Sequence, residues 1–278
     1  MINILKRSLN RAIYRSRHYY LTLIAGKSTK IGFTCNICGW TGSAPIRLIS
    51  GRETPSCRQC GSTLRFRAIV SVLTAELFSS AKSLRIADTY KNITGIGMSD
   101  SPLYANLLKE IFSYTNTFYH QEPKLDISDL SSWSTDPVDF LISSDVFEHI
   151  PISGLEKSFF NARKLLKKNG VLIFTVPYSV EGKTVEHFPT LNKWKLVKKN
   201  GTWLLKNILE NGVEEEYSNL RFHGGEGATL EMRRFGIHDI FDRLSSAGFH
   251  DMKIHDVEQR EIGIMYEVKD SFVISARA

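Results

Sequence analysis

What this chain lacks narrows it first. It has no apolar run near the ~20 residues a helix needs to cross a bilayer, so the sequence offers no candidate membrane-spanning helix. Four cysteines in 278 residues are too few for a disulfide-stapled miniprotein. With 42% hydrophobic and 23% charged residues, it does not have the polar bias of a disordered chain. No internal repeat or low-complexity linker divides it. The length suits one large domain with at most a small appendage.

Acid is absent from residues 1–52, which carry nine Lys and Arg. The remaining 226 residues hold the other 27 basic residues against all 29 acids, so the formal charge of +7 belongs to an N-terminal arm. Within it Ile2, Leu5, Leu9, Ala12 or Ile13, and Tyr20 recur at helical spacing, with Lys6, Arg7, Arg11, Arg15 and Arg17 between them. Such a helix packs on its own domain, lies on an anionic membrane surface or grips nucleic acid. The pattern favours the first over the second and the second over the third. A signal peptide fits poorly: the apolar stretch Tyr19–Ala25 is short, no small-x-small site follows, and Lys27 comes next.

The clearest chemistry lies in Cys35-x-x-Cys38 and Cys57-x-x-Cys60, separated by 18 residues. Each pair places two thiolates on one tight turn, with a glycine (Gly39, Gly61) at the next position. Four soft ligands on two such knuckles suit tetrahedral Zn²⁺, and the spacing is that of a zinc ribbon. Four thiolates leave no open coordination position, so the expected metal is structural. Arg47, Arg52, Arg58, Arg65 and Arg67 lie nearby, consistent with nucleic-acid contact, with solvation or with docking on the next domain.

After the ribbon, Ser62 is placed to cap a helix running to Leu77 or Phe78. Beyond Ala81, short apolar runs (Leu84–Ala87, Thr117–His120, Phe140–Ser143, Val171–Val176) alternate with helical stretches near 102–113 and 154–168. That alternation predicts a mostly parallel sheet with helices on both faces. In such sheets ligands bind at the carboxyl ends of strands, near the switch in strand order. Ser144, Asp145 and His149 follow one such strand end.

These segments resemble class I S-adenosylmethionine-dependent methyltransferases. Residues 139–151 (DFLISSDVFEHIP) resemble the family's fourth strand and following loop, 164–177 (KLLKKNGVLIFTVP) its fifth helix and strand, and 235–249 (FGIHDIFDRLSSAGF) the helix before the last two strands, Met252–Val257 and Ser271–Ala276. The ribbon followed by Arg65-Phe66-Arg67 also resembles the front of a bacterial subgroup linked with surface-glycan biosynthesis. The resemblance implies a Rossmann-like, doubly wound α/β sheet that binds S-adenosylmethionine. It divides the chain into a basic arm (1–30), a zinc ribbon (31–62) and a methyltransferase domain (63–278) whose insert, about 178–234, forms a substrate lid.

The family's glycine-rich cofactor loop is not where the resemblance puts it. Either Asp88 opens an unusual loop, or the working loop is Gly95-Ile96-Gly97-Met98-Ser99-Asp100. By the same resemblance Glu122 would take the ribose hydroxyls, Asp126 and Ile127 the adenine, and Ser144 and Asp145 the cleft mouth. His149 and His223 are the candidate catalytic residues, because histidine is the natural base near neutral pH. The implied reaction is methylation, through oxygen, of a small-molecule or glycan acceptor by a cytoplasmic enzyme, peripheral to the membrane if the arm lies on lipid. An RNA or protein methyltransferase gripping a polyanion, and a non-catalytic scaffold with a degenerate loop, are the alternatives. Trp194, Trp203, Tyr217 and Phe222 in the insert read as the lid's own small core, with stacking on a ligand as the second use.

Overall fold

The computed structural model describes residues 20–21, 29–81, 83–85, 88–223, 229–268 and 270–278. The expected amphipathic helix of the arm therefore lies almost wholly outside the described residues. Among those described, no helix is long and apolar enough to cross a membrane.

The chain opens with a hairpin, β1 (Lys30–Thr34) and β2 (Thr41–Pro45), bearing the first cysteine pair, and a one-turn helix at Ile46–Ile49. Helix α1 (Leu64–Phe78) follows the second pair. Its cap is Thr63, whose hydroxyl accepts from the Phe66 N–H at 3.4 Å. The expected cap, Ser62, instead faces inward, with its Oγ 3.2 Å from Arg67 Nη1 and 3.3 Å from Cys35 Sγ.

The central sheet is built from β3 (Tyr90–Met98), β4 (Phe112–Thr117), β5 (Val138–Ser144), β6 (Leu166–Thr175), β15 (His250–His255) and β16 (Val273–Arg277). Its order is β15-β16-β6-β5-β3-β4, and only β16 runs against the others. This is the expected Rossmann-like, doubly wound and mostly parallel sheet. Alternation along the strands assigns the two faces. Leu141, Leu172, Phe174 and Ile274 point to α3 (Ile152–Lys164) and α4 (Ile237–Ser246). Phe140, Ile142, Val171, Ile173 and Val273 point to α1 and α2 (Pro102–Ile111).

Two strand expectations move. Leu84 and Arg85 form a turn, while Ile86 and Ala87 lie outside the described residues. The first sheet strand is β3, which contains both Gly95 and Gly97. The next is Phe112–Thr117 rather than Thr117–His120, because α2 ends at Ile111 and passes straight into β4 without a loop.

The ribbon shares one apolar cluster with the sheet: Phe33, Cys35, Ile37 and Cys57 pack with α1, Tyr104 and Val273. Arg67 joins them with no exposed surface. Its guanidinium lies over Phe33 at 5.1 Å, and donates to the Ser62 carbonyl at 2.9 Å and to the Gly263 carbonyl at 2.7 and 3.1 Å.

The insert consists of short strands, β7 (Tyr178–Ser179) and β8 (Val185–Glu186), flanking β14 (Arg233–Gly236), with an antiparallel sheet of β9 (Lys193–Lys199), β10 (Thr202–Ile208) and β11 (Glu214–Tyr217). A last antiparallel pair is β12 (Phe222–His223) with β13 (Thr229–Leu230). Phe188, Leu205, Leu230 and Met232 form its own buried core, with Tyr217 and Phe222 packed against it.

Candidate active site

The chain places β3, steps outward to β4 and then returns to β5 on the other side of β3. That reversal opens a crevice at the carboxyl ends of β3 and β5, and a cavity of about 1350 Å³ lies there.

One wall is the end of β3. Ser99, with φ of 58°, turns the chain sharply, and its N–H donates to the Thr117 carbonyl at 2.7 Å. Asp100, 2% exposed, follows. Its oxygens accept from Tyr104 Oη at 2.6 Å and Tyr114 Oη at 2.5 Å, and its N–H donates to Asn116 Oδ1 at 2.9 Å. Gly95 and Gly97 do not form a cofactor loop; both lie within the strand. A Cβ at Gly95 would stand 2.1 Å from the Phe140 ring, and one at Gly97 would stand 1.9 Å from Tyr114 Oη. These glycines let aromatic rings cross the strand.

Burial pushes the Asp100 carboxyl up to about 7, against the two phenols that lower it. A carboxyl raised in the folded state favours folding below its unfolded pKa of about 3.9, and that contribution is lost as pH rises through the folded value. Melting curves should therefore show the wild type losing stability relative to Asp100→Asn between about pH 4 and 7.5, by up to about 4 kcal/mol. Parallel curves for the two proteins would refute the assignment.

The remaining expected cofactor contacts divide. Asp88 is exposed and lies just before β3, so the whole strand separates it from the cavity. Glu122 is exposed, accepts from the Lys124 N–H at 3.0 Å, and is not part of the cavity wall; His120 and Gln121 are. Asp126 and Ile127 do line it. Asp126 Oδ1 accepts from Ser128 N at 2.9 Å and Ser128 Oγ at 2.7 Å, an Asx turn that fixes the loop. The Ile127 carbonyl accepts from Asn161 Nδ2 of α3 at 2.8 Å.

Ser144 and Asp145 end β5 at the cavity, and two arginines from the N-terminal part reach them. Arg52 meets Asp145 as a bidentate pair at 2.8 and 2.9 Å. Arg65 donates to Ser144 Oγ and stands 3.4 Å from Asp145. Glu53 completes a four-charge network, accepting from Arg65 at 2.7 and 2.8 Å and from Arg52 at 2.6 Å. Burial alone would raise the Asp145 carboxyl, but Arg52, Arg65 and the Thr175 hydroxyl hold it well below the usual range. Of the three roles open to the ribbon arginines, Arg52 and Arg65 take docking. They line the cavity without closing it.

The opposite wall is the Phe147–His149 turn and the insert. His149 and His223 both face the cavity, their rings 4.8 Å apart and nearly perpendicular. Beneath them Glu148 is fully buried. Glu231 lies behind, accepting from His223 Nε2 and His187 Nε2, each at 2.8 Å. Burial raises Glu148 to about 7 against the pull of His223, and Glu148 and Glu231 together raise His223 to about 10. Burial lowers His149. The sequence analysis singles out neither Glu148 nor Glu231; Glu148 stands directly before the candidate His149, and nothing local marks Glu231.

The four cysteines form a second chemical cluster. Cys35 and Cys60 sulfurs are 3.8 Å apart and those of Cys38 and Cys57 3.6 Å. A tetrahedron with Zn–S near 2.3 Å has edges of about 3.8 Å, so the donor set fits Zn²⁺. Both knuckles repeat one backbone pattern: Gly39 and Gly61 take φ of 74°, and their N–H groups donate to the Cys35 and Cys57 carbonyls at 2.8 and 2.9 Å.

Neither a protein-family model nor a curated protein matches the chain. Among solved structures, one similar to it is the Burkholderia thailandensis 1,6-didemethyltoxoflavin-N1-methyltransferase with S-adenosylhomocysteine bound. The identity is 13%, covering 75% of this chain and 76% of that one, with a TM-score of 0.42. The sugar N-methyltransferase KedS8 from a Streptoalloteichus species is similar at 9% identity, over 79% and 87%, with a TM-score of 0.42. The amino pentose methyltransferase CalS10 from Micromonospora echinaspora is similar at 11%, over 78% and 92%, with 0.41. The fold of this chain is read from its own strand order.

Proposed function

We propose that the protein transfers a methyl group from S-adenosylmethionine to an oxygen of a small-molecule or glycan acceptor. The observation that carries this reading is the cavity at the switch point. Sites for one small ligand run to roughly 300–1,000 Å³; about 1350 Å³ accommodates a donor and an acceptor together. Met98, Ser99, Asp126 and Ile127 would hold the donor, with Asp126 Oδ2 left to accept from the adenine amino group, since both of its hydrogen bonds fall on Oδ1. Bound there, the cofactor supplies an electrophilic methyl group. His149 and His223 stand on the acceptor side, where the acceptor's proton leaves. From the insert, Trp194, Leu196, Leu230 and Met232 line the same cavity.

Calorimetry tests this. S-adenosylmethionine and S-adenosylhomocysteine should bind at micromolar affinity, and Asp126→Ala should weaken both about tenfold, the value of one charge-assisted hydrogen bond. No heat with either nucleoside would overturn the reading and favour a non-catalytic scaffold.

A further inference from the structure

We infer that Glu148, His149 and His223 form a second metal site, for a divalent first-row cation of which zinc is the best match. The hydrogen bonds behind the two histidines set their tautomers. His149 Nδ1 lies 2.8 Å from the Leu230 carbonyl, which can only accept, so Nδ1 carries the proton and Nε2 presents its lone pair. His223 Nε2 lies 2.8 Å from Glu231 Oε2, so Nε2 carries a proton, and Nδ1 presents its lone pair once a metal displaces the second ring proton. Both lone pairs point toward one carboxylate: Nε2 of His149 is 3.7 Å and Nδ1 of His223 3.5 Å from Glu148 Oε1.

That carboxylate is the second, independent observation. Glu148 has no exposed surface, and among the described residues neither of its oxygens has a hydrogen-bond partner. A buried unpaired carboxylate facing two imidazoles is costly as it stands. A proton on His223 Nδ1 answers only one oxygen, beyond good hydrogen-bond distance, and leaves the His149 lone pair facing negative charge. A cation satisfies all three at once. Metal–ligand bonds of about 2.1 Å place tetrahedral ligands about 3.4 Å apart, close to the separations seen, and the three ligand atoms lie within 4.8 Å of one another.

The surroundings match a metal site as well. Ligating histidines donate their second ring N–H to a carbonyl or carboxylate, as both do here. Met232 N–H fixes the Glu148 carbonyl at 2.7 Å, and Arg233 Nη1 fixes that of Phe147 at 2.8 Å. Two histidines and one glutamate leave a coordination position open, as in catalytic rather than structural zinc sites. Both histidines line the cavity. Resting on the methyl-transfer reading, the open position would take the acceptor hydroxyl and lower its pKa; the metal binding itself does not depend on that reading.

Native mass spectrometry and zinc titration of the full chain, without nucleoside, test the site. The expected result is two zinc ions per chain in the wild type and one in Glu148→Gln and in His223→Asn. Glu231→Gln, which removes the negative charge behind His223 Nε2, should weaken the second site 10–100-fold. His223 lies near the rim, so its variant still decides the matter if Glu148→Gln fails to fold. One zinc in the wild type, or a second equivalent retained in His223→Asn, would overturn the inference. S-adenosylhomocysteine binding, measured separately with and without the second equivalent, distinguishes failure of this site from failure of the proposed function.

Discussion

Removing the ribbon's metal, by chelation or by Cys57→Ser, will lower the melting temperature by about 10 °C or more and open the cavity on one side. The first effect follows because structural zinc contributes folding energy directly. Here the ribbon is not an isolated appendage: Phe33, Ile37 and Cys57 belong to the same buried cluster as α1 and the sheet. A loss of about 5 kcal/mol corresponds to about 10–20 °C in a chain of this size. The second effect is specific to this protein. Arg52 lies between the cysteine pairs and Arg65 directly after them, and both are anchored on Asp145 and Ser144. With the ribbon unfolded, Asp145 loses its bidentate partner Arg52, so nucleoside binding should weaken along with stability. Differential scanning fluorimetry with and without S-adenosylhomocysteine reads both. A zinc-depleted protein that melts unchanged would contradict the placement of the ribbon in the core.

Gly97→Ala will be the most damaging single methyl group in the sheet. The new Cβ would lie 1.9 Å from Tyr114 Oη and 2.1 Å from Asp100 Oδ2. Neither neighbour can yield cheaply, because the two are hydrogen-bonded to each other and both are buried. Overpacking with the loss of a buried hydrogen bond costs about 3 kcal/mol. The displaced Asp100 also carries the turn at Ser99, so nucleoside affinity should fall further than stability alone explains. Urea unfolding and calorimetry on the same variant separate the two. An alanine variant within about 0.5 kcal/mol of wild type would show that the tyrosine has room to move.

Much of the fold was legible because it rests on local patterns. The cysteine spacing pointed to the four-cysteine cluster, the run Phe140–Ser143 lies inside β5, and Val171–Val176 matches β6 up to its last residue, Thr175. The first sheet strand was not legible, because Tyr90–Met98 reads as a loop: it carries Lys91, Asn92 and two glycines, and none of its first five residues is fully buried. The glycines suggested a cofactor loop, yet they serve aromatic rings arriving from Phe140 and Tyr114, which no local pattern displays. Asp126, Ile127, Ser144, Asp145, His149 and His223 all reached the cavity wall, whereas Asp88 and Glu122 did not. The pairing of Arg52 with Asp145 joins residues 93 apart in sequence. The value of Glu148 lies in a burial that its neighbours in sequence do not announce.

The buried guanidinium of Arg67 has a consequence for the order of assembly. Its acceptor at Gly263 is 196 residues downstream, and the glycine's own conformation, with φ of 73°, places it against Phe33. During synthesis the cysteine knuckles emerge early and are able to load metal at once. The surface they seat on is completed only when the final strand pair has been made, so the earliest module is the last to dock. Contacts this distant close slowly, and until they close the Arg67 guanidinium lacks the Gly263 carbonyl that accepts two of its hydrogen bonds.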